Sequence, residues 1–168
     1  RLVGPSLSSY LVDFVVTAEL NGFYLPEGSV LRAYSWSYEL TQKSNLSHNE
    51  KTAVLSSLVK AISPHTKRSV RLARSLADDS LDSATSSNKA WRSSGDLLTL
   101  SNLAVALHQF GDHERADDLS NEINNQINEG KADLANLSYG GYYDTTVSRQ
   151  AKLAENLFYL LLCLTKIF

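Results

Sequence analysis

Apolar residues recur every third or fourth position in one punctuated stretch after another, and this period of about 3.6 most constrains what the chain can fold into. Leu7, Leu11, Phe14, Val15 and Ala18 share one helical face over residues 6–20, behind Pro5 and ahead of Asn21-Gly22, a good left-handed stop. A second helix is expected from Pro26, placed in its first turn, to about Thr41, carrying Val30, Leu31, Tyr34 and Tyr38. Ser44 to Asn49 is polar and cap-like. Ala53, Val54, Leu58 and Ile62 then mark a third helix, which Ser63-Pro64 ends.

The same reading predicts a fourth helix over about Lys67 to Ala77, and then a serine-rich loop over about 78–95 with Leu81 and Trp91 as its large anchors. Helical spacing returns over Asp96 to Phe110 with Leu97, Leu100, Leu103, Ala104 and Leu107. Gly111 closes that helix and Asp112 caps a partner bearing Ala116, Leu119, Ile123 and Ile127, forming a tight hairpin. Lys131 to Leu137 adds a turn or two, Gly140-Gly141 makes a structural turn, and Asp144 or Thr145 caps a last leucine-rich helix. Strand-like alternation is confined to a short extended piece at Gly141 to Tyr143. The predicted class is all-α, and no 34-residue or other fixed period supports a regular repeat array.

At 168 residues, with 43% hydrophobic and 20% charged side chains, the chain suits one domain with a real core. A formal net charge of -2 offers no global attraction to phosphate backbones or anionic lipid, so nucleic acid is not expected as a partner. Leu157 to Leu164 is apolar but far short of the roughly 20 residues of a membrane span, and reads as a buried helix. Cys163, the single cysteine, lies in that run and is expected to behave as a small buried hydrophobe, unreactive in the folded chain. The sequence contains no Met and opens on Arg1, which leads us to expect a segment of a longer chain.

Asp78-Asp79-Ser80-Leu81-Asp82 has the spacing with which isoprenoid synthases hold magnesium against a diphosphate, because carboxylates three or four apart share a helical face. A second such motif is missing, since Asp117-Asp118-Leu119-Ser120 continues with Asn121 and Asn125. The plainer reading is a helix end running into a polar loop, with Lys67, Arg68, Arg71 and Arg74 as a solvated basic face. His108 and His113, five apart, are expected to turn away from each other and form no two-histidine metal face. No histidine has a nucleophile placed beside it by motif. Gly140-Gly141 lacks the lysine and the strand-helix context of a phosphate loop. Asn45-Leu46-Ser47 and Asn136-Leu137-Ser138 match glycosylation acceptors, a pattern common by chance. The expectation is therefore no catalytic residue, no metal site and no cofactor in this chain.

Taken together, the run Tyr10 to Phe14, Ala18, Gly22-Phe23 and Leu25-Pro26-Glu27, followed by Leu103 to Leu107, Gly111-Asp112 and Arg115-Ala116, resembles bacterial alpha-2-macroglobulins. The likeness is to the C-terminal half of their thioester-type domain. Tyr139-Gly140, a short loop, then Arg149 opening a leucine-rich helix extend it to the end of the chain. The resemblance implies an α/α toroid, here a partial one over residues 1–168, in which inner and outer helices alternate and Leu157 to Leu164 belongs to an inner helix. It implies protease trapping by the full-length protein, in a periplasmic or cell-envelope setting, with target proteases and neighbouring domains of the same chain as partners. A departure accompanies it: no Cys-(Gly or Leu)-Glu-Gln thioester string occurs, and Leu164-Thr165-Lys166 follow Cys163. The segment from Lys51 to Trp91 is also richer in serine and charge than that family's helices. The expected function is thus a non-catalytic segment of a protease inhibitor. The alternatives are a free-standing tetratricopeptide-like interaction module, suggested by the Gly111-Asp112 hairpin, and an isoprenoid-cyclase-like enzyme, suggested by Asp78, Asp79 and Asp82.

Overall fold

The computed structural model describes residues 4–65, 69–85, 96–132 and 145–165. Among them are seven α-helices and no strand: α1 (Pro5–Leu20), α2 (Ser29–Lys43), α3 (His48–Ile62), α4 (Val70–Thr85), α5 (Asp96–Phe110), α6 (His113–Asn128) and α7 (Thr146–Thr165). The expected all-α class is what the chain adopts.

Local chemistry accounts for most of the helix ends. Pro5 occupies the first turn of α1, where its missing N–H would have had no partner. At the other end Gly22 takes φ +79°, and Phe23 N–H donates to the Ala18 carbonyl at 3.0 Å, the wrap that a left-handed residue permits. Ser47 and Glu50 form a reciprocal cap on α3: the Ser47 hydroxyl accepts from Glu50 N–H, and the Glu50 carboxylate accepts from Ser47 N–H at 2.9 Å. Those hydrogen bonds to Ser47 hold the Glu50 carboxyl below its ordinary pKa. Thr145 caps α7 by accepting from Ser148 N–H at 3.1 Å.

Two boundaries differ from the sequence reading. Pro26 lies before α2, which begins at Ser29 behind Gly28 at φ +72°; the Pro26 carbonyl accepts from Ser29 N–H in a turn of its own. The predicted loop starts too early, because α4 continues through Asp78 to Thr85; the rest of it, 86–95, lies outside the described residues. Leu76, Ala77, Ser80 and Leu81 keep facing the core past the point where the sequence turns serine-rich. Tertiary packing outweighs local polarity there. The short extended piece and the turn at Gly140-Gly141 also lie outside the described residues.

The helices pack in two rows. α1, α3, α5 and α7 succeed one another in the first, while α2 sits against α1 and α3, α4 against α3 and α5, and α6 against α4 and α5. The row of odd helices bends until α1 and α7 meet, with the Lys152 ammonium of α7 3.4 Å from the centre of the Tyr10 ring of α1. α5 is apolar nearly all round and is covered on every side, each residue from 97 to 107 being buried. Leu97, Leu100, Leu103 and Leu107, at most 1% exposed, meet Leu58 and Ile62 of α3 and Leu119 and Ile123 of α6 in one continuous core. Each such side chain contributes roughly 1.5–3 kcal/mol by leaving water.

α7 is where the expectation fails. Leu160 is buried, but Phe158, Leu161 and Leu162 are 63%, 57% and 44% exposed, and Cys163 is half-buried. The run Leu157 to Leu164 is not a buried inner helix. The helix packs chiefly on α5, with Leu157 and Tyr159 partly buried against the core, while Phe158, Leu161 and Leu162 point outward.

Candidate functional site

One carboxylate of the acidic run and one cation of the basic stripe each find a partner at the start of α6. Asp112 stands at the N-cap position of α6, yet its side chain makes no capping bond. Instead its carboxylate, with the side chain only 8% exposed, accepts from Arg74 Nε of α4 at 2.5 Å and from Arg115 Nη1 at 3.4 Å. Arg115 Nε donates in turn to Asp78 at 2.8 Å. Burial alone pushes the Asp112 pKa up, but the hydrogen bonds and charges of Arg74 and Arg115 outweigh it and hold the carboxyl below its ordinary value. Asp78 likewise raises the Arg115 pKa.

Two expectations are corrected by this network. Asp112 pins α4 against the α5–α6 turn rather than capping α6, and Arg74 is an ion-pair partner rather than part of a purely solvated face. Arg71 is exposed as expected, and Lys67 and Arg68 lie outside the described residues. Asp78, the first carboxylate of the diphosphate-like string, is engaged by Arg115. No group of three or more His, Cys, Asp or Glu that could hold a metal ion occurs among the described residues.

The histidine reading is also corrected. Gly111, at φ +83°, reverses the chain between α5 and α6, so His108 and His113 lie on different helices and their rings meet with centroids 4.6 Å apart. His108 also stands edge-on to Tyr159 of α7, centroids 5.8 Å apart. Burial, and then the charge of His113, lower the His108 pKa, with Asp117 opposing. Burial raises that of Tyr159, aided by the neighbouring Cys163. A helical-wheel argument misses such a pair because it assumes one continuous helix; the turn signal at Gly111 was the clue.

A polar concavity lies where α1 and α7 approach each other. Ser9, Tyr10 and Asp13 of α1, Ser57 and Lys60 of α3, Asn102 of α5, and Lys152 and Glu155 of α7 line a cleft. Lys60 pairs with Glu155 at 3.4 Å, and Lys152 covers Tyr10. Beneath it runs a chain of buried polar side chains. Asn156 Nδ2 donates to Ser101 Oγ at 2.9 Å and to Asn102 Oδ1 at 2.8 Å, and Asn102 Nδ2 reaches Ser56 Oγ at 3.5 Å. Asn156 and Asn102 are 1% and 4% exposed, so these bonds fix α7, α5 and α3 in register.

None of these cleft residues stood out in the sequence as a site. The available signal was one asparagine inside each of two apolar helices, Asn102 in α5 and Asn156 in α7, since a polar side chain in such a run needs a partner.

Chemically the cleft is balanced and small. Two ammonium groups face two carboxylates, and the interior space of about 30 Å³ holds roughly two water molecules. No described helix is long and apolar enough to cross a membrane. Set beside known proteins, the chain matches no family model, no curated protein and no solved structure.

Proposed function

We propose that this chain is a non-catalytic, load-spreading segment of a bacterial periplasmic alpha-2-macroglobulin-like protease inhibitor. The observation that carries the reading is the two-row packing, in which odd helices form one bent row, even helices back it, and α5 is covered on every side. Alternating inner and outer helices are what the resemblance implies for a partial toroid. The cleft between α1, α3, α5 and α7 supports a structural part, because its ion pair and amide chain tie these helices together.

In this reading the segment shapes the thioester-type domain and packs on neighbouring domains, while trapping belongs to the whole protein. Steric trapping leaves the captured protease's active site intact and blocks only large substrates. The full-length gene product mixed with trypsin should therefore suppress digestion of casein while hydrolysis of a small chromogenic peptide continues. Undiminished digestion of both would sink the reading.

A second reading, a free-standing helical interaction module, is favoured by one observation: apolar side chains on the outward faces of α1 and α7, among them Phe14 at 70% exposure and Phe158. A natural gene product of only about this length, inactive against casein digestion, would favour it.

A further inference from the structure

α7 carries two faces. Leu153, Asn156 and Leu160 are buried against the body of the protein, while Val147, Ala151, Ala154, Phe158 and Leu161 are all exposed. Their spacing of four, three, four and three residues is a heptad seam, the pattern by which one helix packs along another. A surface helix ordinarily turns charge outward. Here Lys152 lies over Tyr10, and Glu155, its side chain 69% exposed, flanks the stripe with its carboxylate on Lys60.

The stripe is complementary to itself. It is small in the middle and large at both ends, and an antiparallel copy centred on Ala154 places Leu161 opposite Val147 of the other chain. Phe158 then enters the hole left by the other chain's Ala151, and the two Ala154 side chains meet where the helices approach closest. A parallel copy would set Phe158 on Phe158 and leave the alanines facing a gap. We propose that α7 is a homodimerisation seam, in which a second copy of this chain pairs with it antiparallel about a twofold axis at Ala154.

The exposed area sets the strength. Val147, Phe158, Leu161 and Leu162 are 73%, 63%, 57% and 44% exposed. At roughly 150–200 Å² for a fully exposed large side chain, they offer roughly 400 Å² per chain. Two copies then bury roughly 800 Å² from these residues, and the alanines and flanks carry the total toward the lower limit of specific interfaces, about 1,200 Å². The dimer is accordingly weak, with a dissociation constant of roughly 10–100 µM.

The test uses the full 168-residue chain with Cys163→Ser to remove the native thiol. Sedimentation velocity at several times that concentration should show a dimer, and Phe158→Glu should return it to monomer with an unchanged helical circular dichroism spectrum. Under mild oxidation Ala154→Cys should crosslink rapidly, because only a residue on the axis brings two identical positions within disulfide reach. The exposed α6 position Asn121→Cys serves as control. A monomer at all concentrations, crosslinking of Ala154→Cys no faster than the control, or a monomer that floats with neutral phosphatidylcholine vesicles would each overturn the proposal. None of these outcomes depends on whether the parent protein traps proteases.

Discussion

Asp112 shows how one carboxylate's place in space overrides its place in sequence. At the start of a helix it reads as a cap, and in the fold it accepts from Arg74 and Arg115 while nearly buried. Its pKa is held low, so its contribution to stability is present above the ordinary carboxylate range and disappears as pH falls through the depressed value. Asp112→Asn should therefore cost about 1–2 kcal/mol near neutrality, discounted because Arg74 is half-exposed. The gap between the two proteins should narrow as pH falls below the ordinary carboxylate value of about 4 and through the depressed one, below which both carry a neutral side chain. Urea unfolding at several pH values measures it, and a gap that does not shrink as pH falls below about 4 would rule out the pairing. His108 offers a second check at this scale. Burial and His113 lower its pKa, so in a proton NMR titration it should protonate below the usual histidine midpoint of about 6.5. Protonation at or above that value would contradict the packing of the two rings.

Among the elements, those with local signals were legible in the sequence and those decided by partners were not. α1, α3, α5 and α6 announce themselves by apolar period and by Pro5, the polar, cap-like stretch from Ser44 to Asn49, Gly22 and Gly111. The continuation of α4 through the acidic run was hidden, because Asp78 is held by an arginine 37 residues away and Ser80 by burial. The outward stripe of α7 was hidden for a related reason: a leucine-rich run looks the same whether its second face is covered or bare. The cleft was the least legible feature, since Lys60, Asn102, Lys152 and Glu155 come from three separate helices and no spacing rule joins them. The local cap of α3 gives the cleanest measurement. Ser47→Ala removes the acceptor for Glu50 N–H and the hydroxyl that donates to the Glu50 carboxylate, leaving that carboxylate only the backbone N–H of residue 47, and should lower stability by about 1 kcal/mol. Ser47→Asp should restore most of it, because a carboxylate also accepts at that position. Full stability of the alanine variant in thermal unfolding would show the cap to be idle.

Across the whole molecule, burial is shared unevenly, and this orders how the parts come apart. α5 is enclosed by α3, α4, α6 and α7, so it can open only when the core does. α7 has three buried side chains among those described, Leu153, Asn156 and Leu160, and one of them is polar. Its hold on the body combines the buried Leu153 and Leu160, the partly buried Leu157 and Tyr159, the amide bonds to Ser101 and Asn102, and partly exposed contacts from Lys152 and Glu155. Exposed ion pairs add little, and the amide bonds roughly 1 kcal/mol each, so α7 should detach in an opening well short of global unfolding. Native-state hydrogen exchange on dilute protein should find the amides of Leu100 to Leu107 the slowest and those of Leu153 to Leu160 faster by at least tenfold. Raising the protein concentration should slow α7 and leave α5 unchanged, because a second copy binds only the docked helix and stabilises it by mass action. Equal protection of the two helices in dilute solution would mean that these contacts bind α7 as firmly as the core binds α5. The ranking drawn from burial would then be wrong.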